Sequence, residues 1–205
     1  MNYQKELEKL LNKIGAENIV PSLLLHVCCG PCSTYVLEYL AKYFKITLLF
    51  YNPNIDELNE YNKRANEVKK VLEKLKVDFD LIVLDYHPEE FQEIAQGLEK
   101  EKEGGLRCHK CYNLRLERTA RYARDKNFDY FTTTLSISPH KNAHVLNQIG
   151  KDLEIKYNVA YLYADFKKND GYKRSIELSK EYELYRQDYC GCIYSMEALN
   201  ADKNN

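Results

Sequence analysis

The chain has 205 residues, of which 44% are hydrophobic and 30% charged, and a formal net charge of −1. Those values predict one folded domain over residues 1–205 and exclude disorder, and the near-neutral charge excludes a global field drawing the protein to polyanions, so a nucleic-acid partner must meet a local basic patch. No apolar run approaches the ~18 residues of a membrane span, and the polar opening Met1-Asn2-Tyr3-Gln4-Lys5-Glu6 does not have the form of a secretory signal, so a soluble cytoplasmic protein is expected.

Leu7, Leu10, Leu11 and Ile14 recur at helical spacing, and Gly15 is the expected stop. Leu23 to Val27 is a short apolar run that predicts a buried strand. It opens into Cys28-Cys29-Gly30-Pro31-Cys32-Ser33, with Ser33 as a candidate cap for a helix from Thr34 to Phe44. Ile46 to Tyr51 predicts a second strand, and Glu57 to Leu75 a long helix with Leu58, Tyr61, Ala65, Val68, Val71, Leu72 and Leu75 on one face. Phe79 to Leu84 predicts a third strand, left through Asp85-Tyr86-His87-Pro88. Helices are expected over Phe91 to Glu99, His109 to Asp125 and Lys141 to Tyr157, with strands at Tyr130 to Leu135 and Val159 to Tyr163. The remainder reads as loop and short helix, ending in a polar tail from Asp202 to Asn205. Strands alternating with helices predict βαβ units, hence an α/β, Rossmann-like layered fold with a mainly parallel sheet. The cysteine clusters then fall at the carboxyl edge of the strands, where such sheets bind ligands.

Seven cysteines gather in three clusters: Cys28-Cys29-x-x-Cys32, Cys108-x-x-Cys111 and Cys190-x-Cys192. An odd number in a reducing compartment argues against a disulfide framework and for metal or redox chemistry. A lone buried cysteine is a small hydrophobe, but three clusters flanked by glycine or charge are not explained that way. Cys32 and the Cys108 pair lie near expected helix starts, where exposed N–H groups favour a thiolate. Four thiolates suit a structural zinc or an iron–sulfur cluster. Iron–sulfur is favoured because the thiols sit at a ligand edge, because adjacent Cys28 and Cys29 fit one tetrahedral ion poorly, and because seven thiols exceed what one zinc uses. The Cys190-Gly191-Cys192 pair is either free for thiol–disulfide exchange or supplies two further ligands.

His26, in an apolar strand, is expected to be a hydrogen-bonded core residue, and His140 and His144 to be structural or at the surface. No P-loop or GxGxxG is present, so nucleotide binding is unsupported. Arg115, Arg118, Arg121 and Arg124 recur every third residue, and Lys167, Lys168, Lys173, Arg174 and Arg186 precede Cys190. Tyrosines, 18 in all, interleave with them. Cations beside stackable rings suit an RNA loop, while a solvated face paired to the many glutamates explains the same pattern without RNA.

Five stretches carry a resemblance to a known family. They are Leu25-His26-Val27-Cys28-Cys29-Gly30-Pro31-Cys32-Ser33, Tyr51-Asn52-Pro53-Asn54-Ile55, Arg107-Cys108-His109-Lys110-Cys111-Tyr112, Thr132-Thr133-Thr134-Leu135-Ser136-Ile137-Ser138-Pro139-His140-Lys141, and Tyr185-Arg186-Gln187-Asp188-Tyr189-Cys190-Gly191-Cys192. In this order and over nearly the whole chain, they resemble the cobalamin-independent, QueH-type epoxyqueuosine reductases. The resemblance implies the last step of queuosine biosynthesis, reduction of the epoxide of epoxyqueuosine at the wobble position of tRNA. Carried over, it implies a [4Fe–4S] cluster on Cys28, Cys29, Cys108 and Cys111, with Cys190 and Cys192 as a redox-active pair. The spare Cys32, with Asp188 or Asp85, is a candidate holder of a second, mononuclear iron that would bind the epoxide oxygen. Arg115, Arg118, Arg174 and Arg186 are the candidate contacts to anticodon-loop phosphates, and an external electron donor is required. Two alternatives stay open: a zinc-stapled RNA-binding module without catalysis, and a thiol–disulfide oxidoreductase using the CxC pair.

Overall fold

The computed structural model describes residues 2–77 and 79–203. Its centre is a five-stranded, wholly parallel sheet of β1 (Ser22–Val27), β2 (Lys45–Phe50), β3 (Asp80–Val83), β4 (Tyr130–Thr133) and β5 (Ala160–Tyr161), in the order β3-β2-β1-β4-β5. The α/β layered fold expected from the alternation is the one observed. β1 is central: Leu25 lies between Leu48 of β2 and Thr132 of β4. Its residues from Leu23 to Val27 are all buried, because both faces are covered, and so the strand reads as an unbroken apolar run.

One face carries α1 (Tyr3–Glu17), α2 (Gly30–Leu40) and α3 (Leu58–Leu75), packed on Leu23, Leu25, Val27, Ile46, Leu48 and Phe50. The other carries α5 (Leu106–Asp125) and α6 (Ala143–Tyr157), packed on Leu24, Leu49 and Phe131. Strand order runs outward one way from β1 to β3 and the other way through β4 and β5. The chain therefore diverges between the carboxyl ends of β1 and β4, the place where open α/β sheets form a crevice. Among the described residues no helix is long and apolar enough to cross a membrane.

Several boundaries differ from the sequence expectation. α2 begins at Gly30, not Thr34, because Cys29 and not Ser33 is its cap: the Cys29 sulfur accepts the Cys32 N–H at 3.3 Å. α1 passes Gly15 and ends at Asn18, in a left-handed conformation with φ 52°. β4 stops at Thr133, whose hydroxyl accepts the Leu135 N–H at 3.1 Å and turns the chain into a 3-10 segment, Thr134–Ile137. α4 (Pro88–Ala95) starts earlier than expected, and β5 shrinks to two residues. Leu58, expected on the apolar face of α3, is half exposed as the first residue of that helix. An eleven-residue helix, α7 (Gly171–Glu181), occupies the stretch expected to be mostly loop, and α8 (Ile193–Lys203) takes in the first part of the expected polar tail. Asn204 and Asn205 lie outside the described residues. The buried stripe of α7 is Gly171, Ser175, Leu178 and Ser179, with one large apolar residue among small ones.

Candidate functional site

The turn from β1 into α2 folds three cysteines onto one spot. The sulfurs of Cys28, Cys29 and Cys32 all lie within 4.8 Å of one another, with those of Cys28 and Cys29 3.8 Å apart. Thr134, at the adjoining end of β4, accepts the Cys28 N–H at 3.3 Å and sits 3.6 Å from its sulfur. Hydrogen bonding from the Cys29 and Cys32 thiols holds Cys28 well below the ordinary thiol range. Burial pushes Cys29 up to about 12, and the neighbouring Cys28 and Cys29 sulfurs raise Cys32. Three thiolates this close repel one another, so full ionisation needs a cation among them.

Of the other four cysteines, Cys190 shares a cleft with this group, and Cys111 and Cys192 pack on one another. Cys108 and Cys111 lie on the first two turns of α5, and the Gly104 N–H donates to the Cys108 sulfur at 3.2 Å. Cys111 packs with Cys192, Phe91 and Ala95, and burial raises it to about 12. Cys190, Cys192 and Cys108 are near enough to bear on its ionisation. Gly191, at φ 114°, makes the sharp turn between Cys190 and Cys192. That turn is tied down by the Asp56 N–H, which donates to Gly191 O at 3.0 Å, and by Arg64 Nη1, which donates to Cys190 O at 2.9 Å.

A cleft of about 410 Å³ opens over the sulfurs, and Cys28, Cys32 and Cys190 line it together with Arg64, Arg115, Lys141, Arg186, Gln187 and Asp188. Lys141 Nζ donates to the Cys190 sulfur at 3.3 Å. Burial alone would push Lys141 down, but its acidic neighbours Cys190 and Tyr112 outweigh that and raise it. Three buried polar atoms in this wall have no partner: Arg64 Nη2, Arg115 Nη2 and Gln187 Oε1. Beneath it, fully buried His26 bridges Thr133 Oγ1 at 2.8 Å and Tyr51 O at 3.0 Å, and burial lowers it to about 4, so it is a neutral core residue as expected.

The four arginines chosen as phosphate contacts fare differently. Arg115 is 1% exposed, in the cleft wall, with the sulfurs of Cys111, Cys190 and Cys28 bearing on it. Arg118 donates to Glu90 at 2.8 Å, and the Tyr51 hydroxyl donates to the same carboxylate. Arg174 makes a two-pronged pair with Glu38 of α2, at 2.7 and 3.1 Å. Arg186 alone of the four is both exposed and on the cleft. A three-residue repeat drifts around a helix, so Arg115 is buried, Arg118 partly exposed, and Arg121 and Arg124 exposed. Asp188 lines the cleft, whereas Asp85 is exposed, near Tyr61, and is not in its lining. His144 is at the surface and bonds the Tyr3 hydroxyl at 2.8 Å, and His140 lies at the cleft rim.

Sequence reasoning assigned no role to Arg64, Lys141 or Gln187. Arg64 carried a usable signal, a charge set into the apolar stripe between Tyr61 and Val68. Fold and site together describe a parallel α/β protein whose switch-point crevice is walled by thiols and cations, a donor set of the kind soft metals take.

The family model "Epoxyqueuosine reductase QueH" matches residues 23–198. Proteins named epoxyqueuosine reductase QueH match throughout. The one from Streptococcus pyogenes serotype M1 is 42% identical, covering 98% of this chain and 81% of its own. That from Staphylococcus epidermidis is 43% identical over 95% and 84%, and that from Thermotoga maritima 39% over 85% and 90%. The chain belongs to the epoxyqueuosine reductase QueH family. Among solved structures, the U34-tRNA thiolase NcsA from Methanococcus maripaludis, with its [4Fe-4S] cluster, shares the fold at a TM-score of 0.51 and 15% identity, covering 98% of this chain and 73% of that one.

Proposed function

We propose that this chain reduces the epoxide of epoxyqueuosine in the anticodon loop of tRNA, giving the cyclopentene of queuosine and water. The supporting observation is a cleft lined by cysteines of the first and third motifs, Cys28, Cys32 and Cys190, with Cys111 of the second packed on Cys192, within a family match spanning all three. The reaction consumes two electrons and two protons. A CxC dithiol oxidised to its disulfide releases that number of each, and Cys190 and Cys192 take this role, restored by an external electron donor.

The donor set fits an iron–sulfur cofactor. Soft thiolates select such metals, and the crowded sulfurs of Cys28, Cys29 and Cys32 call for a cation. Cys28 and Cys29 from β1, with Cys108 and Cys111 from α5, are the assigned ligands of a [4Fe–4S] cluster. Cys28 and Cys108 pack on the same core face, which supports pairing these two elements. Cys32 and Asp188 are left on the cleft wall for a second iron. When bound, such a group supplies one-electron transfer and a Lewis acid for the oxygen that leaves. The chain itself supplies the rest. Lys141 Nζ holds a proton at the cleft wall beside Cys190, and Arg186 at the mouth meets a phosphate of the anticodon loop.

Mass analysis of tRNA bearing epoxyqueuosine tests this, after anaerobic incubation with iron-loaded protein and dithionite. Loss of one oxygen per modified nucleoside is expected, together with loss of bound iron in Cys28→Ala. Unchanged tRNA in the presence of fully loaded protein overturns it.

A further inference from the structure

Arg115 is the largest fully buried side chain among the described residues. A guanidinium keeps its proton in a protein interior, so a full positive charge is enclosed there. Its hydrogen bonds are few and go to neutral groups: Nε donates to Cys111 O at 3.2 Å and Nη1 to Asn52 Oδ1 at 3.4 Å. Nη2 is buried with no partner. The acidic groups that bear most on it are the sulfurs of Cys111, Cys190 and Cys28, followed by the Tyr112 phenol, with no carboxylate among them. Its two neighbours in the cleft wall differ in this respect. Arg64 is paired with Glu60 at 2.6 Å, and Lys141 is bonded to a single sulfur.

A buried charge persists where an opposite charge or a full set of hydrogen bonds meets it. Here the groups that bear most on that charge are sulfurs drawn from both cysteine groups, Cys28 just after β1 and Cys111 on α5. An iron–sulfur cluster on four thiolates carries net negative charge, and its reduction adds one more. Net charge nearby and hydrogen bonds to sulfur are what set the potential of such clusters. We propose that Arg115 is a positioning residue for the electron: its enclosed positive charge and unused Nη2–H stabilise the reduced state of the sulfur-held cofactor and raise its reduction potential. This rests on the iron–sulfur reading above and says which side chain tunes it.

The test uses the full chain reconstituted anaerobically, as wild type, Arg115→Gln and Arg115→Lys. Iron and sulfide per chain are measured, and the midpoint potential is followed by electron paramagnetic resonance during dithionite titration. The expected result is wild-type iron in the Gln variant with a midpoint shifted to more negative potential, and a Lys variant that recovers most of the shift. A Gln variant with wild-type potential overturns the proposal, as does a Lys variant that shares the full shift. If the Gln variant fails to load, a loaded Lys variant near the wild-type midpoint supports the charge role, and failure of both to load overturns it in favour of a role in shape. Wild-type protein that binds no iron fails the cofactor reading itself, a distinct outcome.

Discussion

Arg64 binds the loop of Cys190 and Cys192 to the rest of the fold. Only 2% exposed, it holds Glu60 through Nε and the carbonyl of Cys190 through Nη1. Its guanidinium also lies 5.0 Å from the Tyr189 ring. Arg64→Met removes one partner of a pair whose carboxylate is itself largely buried, which costs about 3–5 kcal/mol. The expected outcome is a clear drop in the thermal midpoint, with faster alkylation of Cys190 in the folded protein because its loop is released. An unchanged alkylation rate would mean that the Gly191–Asp56 backbone bond alone fixes the pair.

At the element scale, the metal-ready geometry depends on how closely α2 approaches α3. Gly30 is the first residue of α2, and a Cβ there would meet the backbone of Glu67 on α3, with Glu67 O at 2.8 Å. No side chain can swing away to relieve that contact. Gly30→Ala therefore lifts the start of α2 and with it Cys29 and Cys32, at a cost of about 1–3 kcal/mol. Calorimetry and iron analysis should show both lower stability and fewer irons per chain. Gly15 supplies the control, since nothing lies within 4 Å of a Cβ there; Gly15→Ala should stabilise α1 by roughly 0.5–1 kcal/mol and leave iron content alone. The sequence revealed that Cys29-Gly30-Pro31 breaks the strand. It did not reveal that a sulfur caps the helix, because that depends on the extended backbone at Cys29 that packing imposes.

At the scale of the whole molecule, the question is which cations are free to meet RNA. Arg174 spends its charge on Glu38 across the α2–α7 contact, and Arg186 stands at the cleft. Arg186→Ala should weaken tRNA binding and flatten its dependence on salt by about one unit of slope. Arg174→Ala should leave that slope unaltered and cost no more than about 1 kcal/mol of stability, the usual worth of a half-exposed pair. Fluorescence anisotropy across a salt series separates the two. The sequence by itself determined the parallel layered fold, the central apolar strand and the three cysteine motifs, because the periods of helix and strand and the breaks at Gly and Pro are local properties of the chain. It missed α7, whose buried face holds a single large apolar residue, Leu178, among glycine and serines, and it set Arg115 among surface cations. Only the tertiary structure decided that Cys28, Arg64, Arg115, Lys141 and Cys190 meet in one cleft. Their proximity is produced by crossovers that return distant segments to one sheet edge, and the same crossovers choose which charges find carboxylates and which are left facing sulfur.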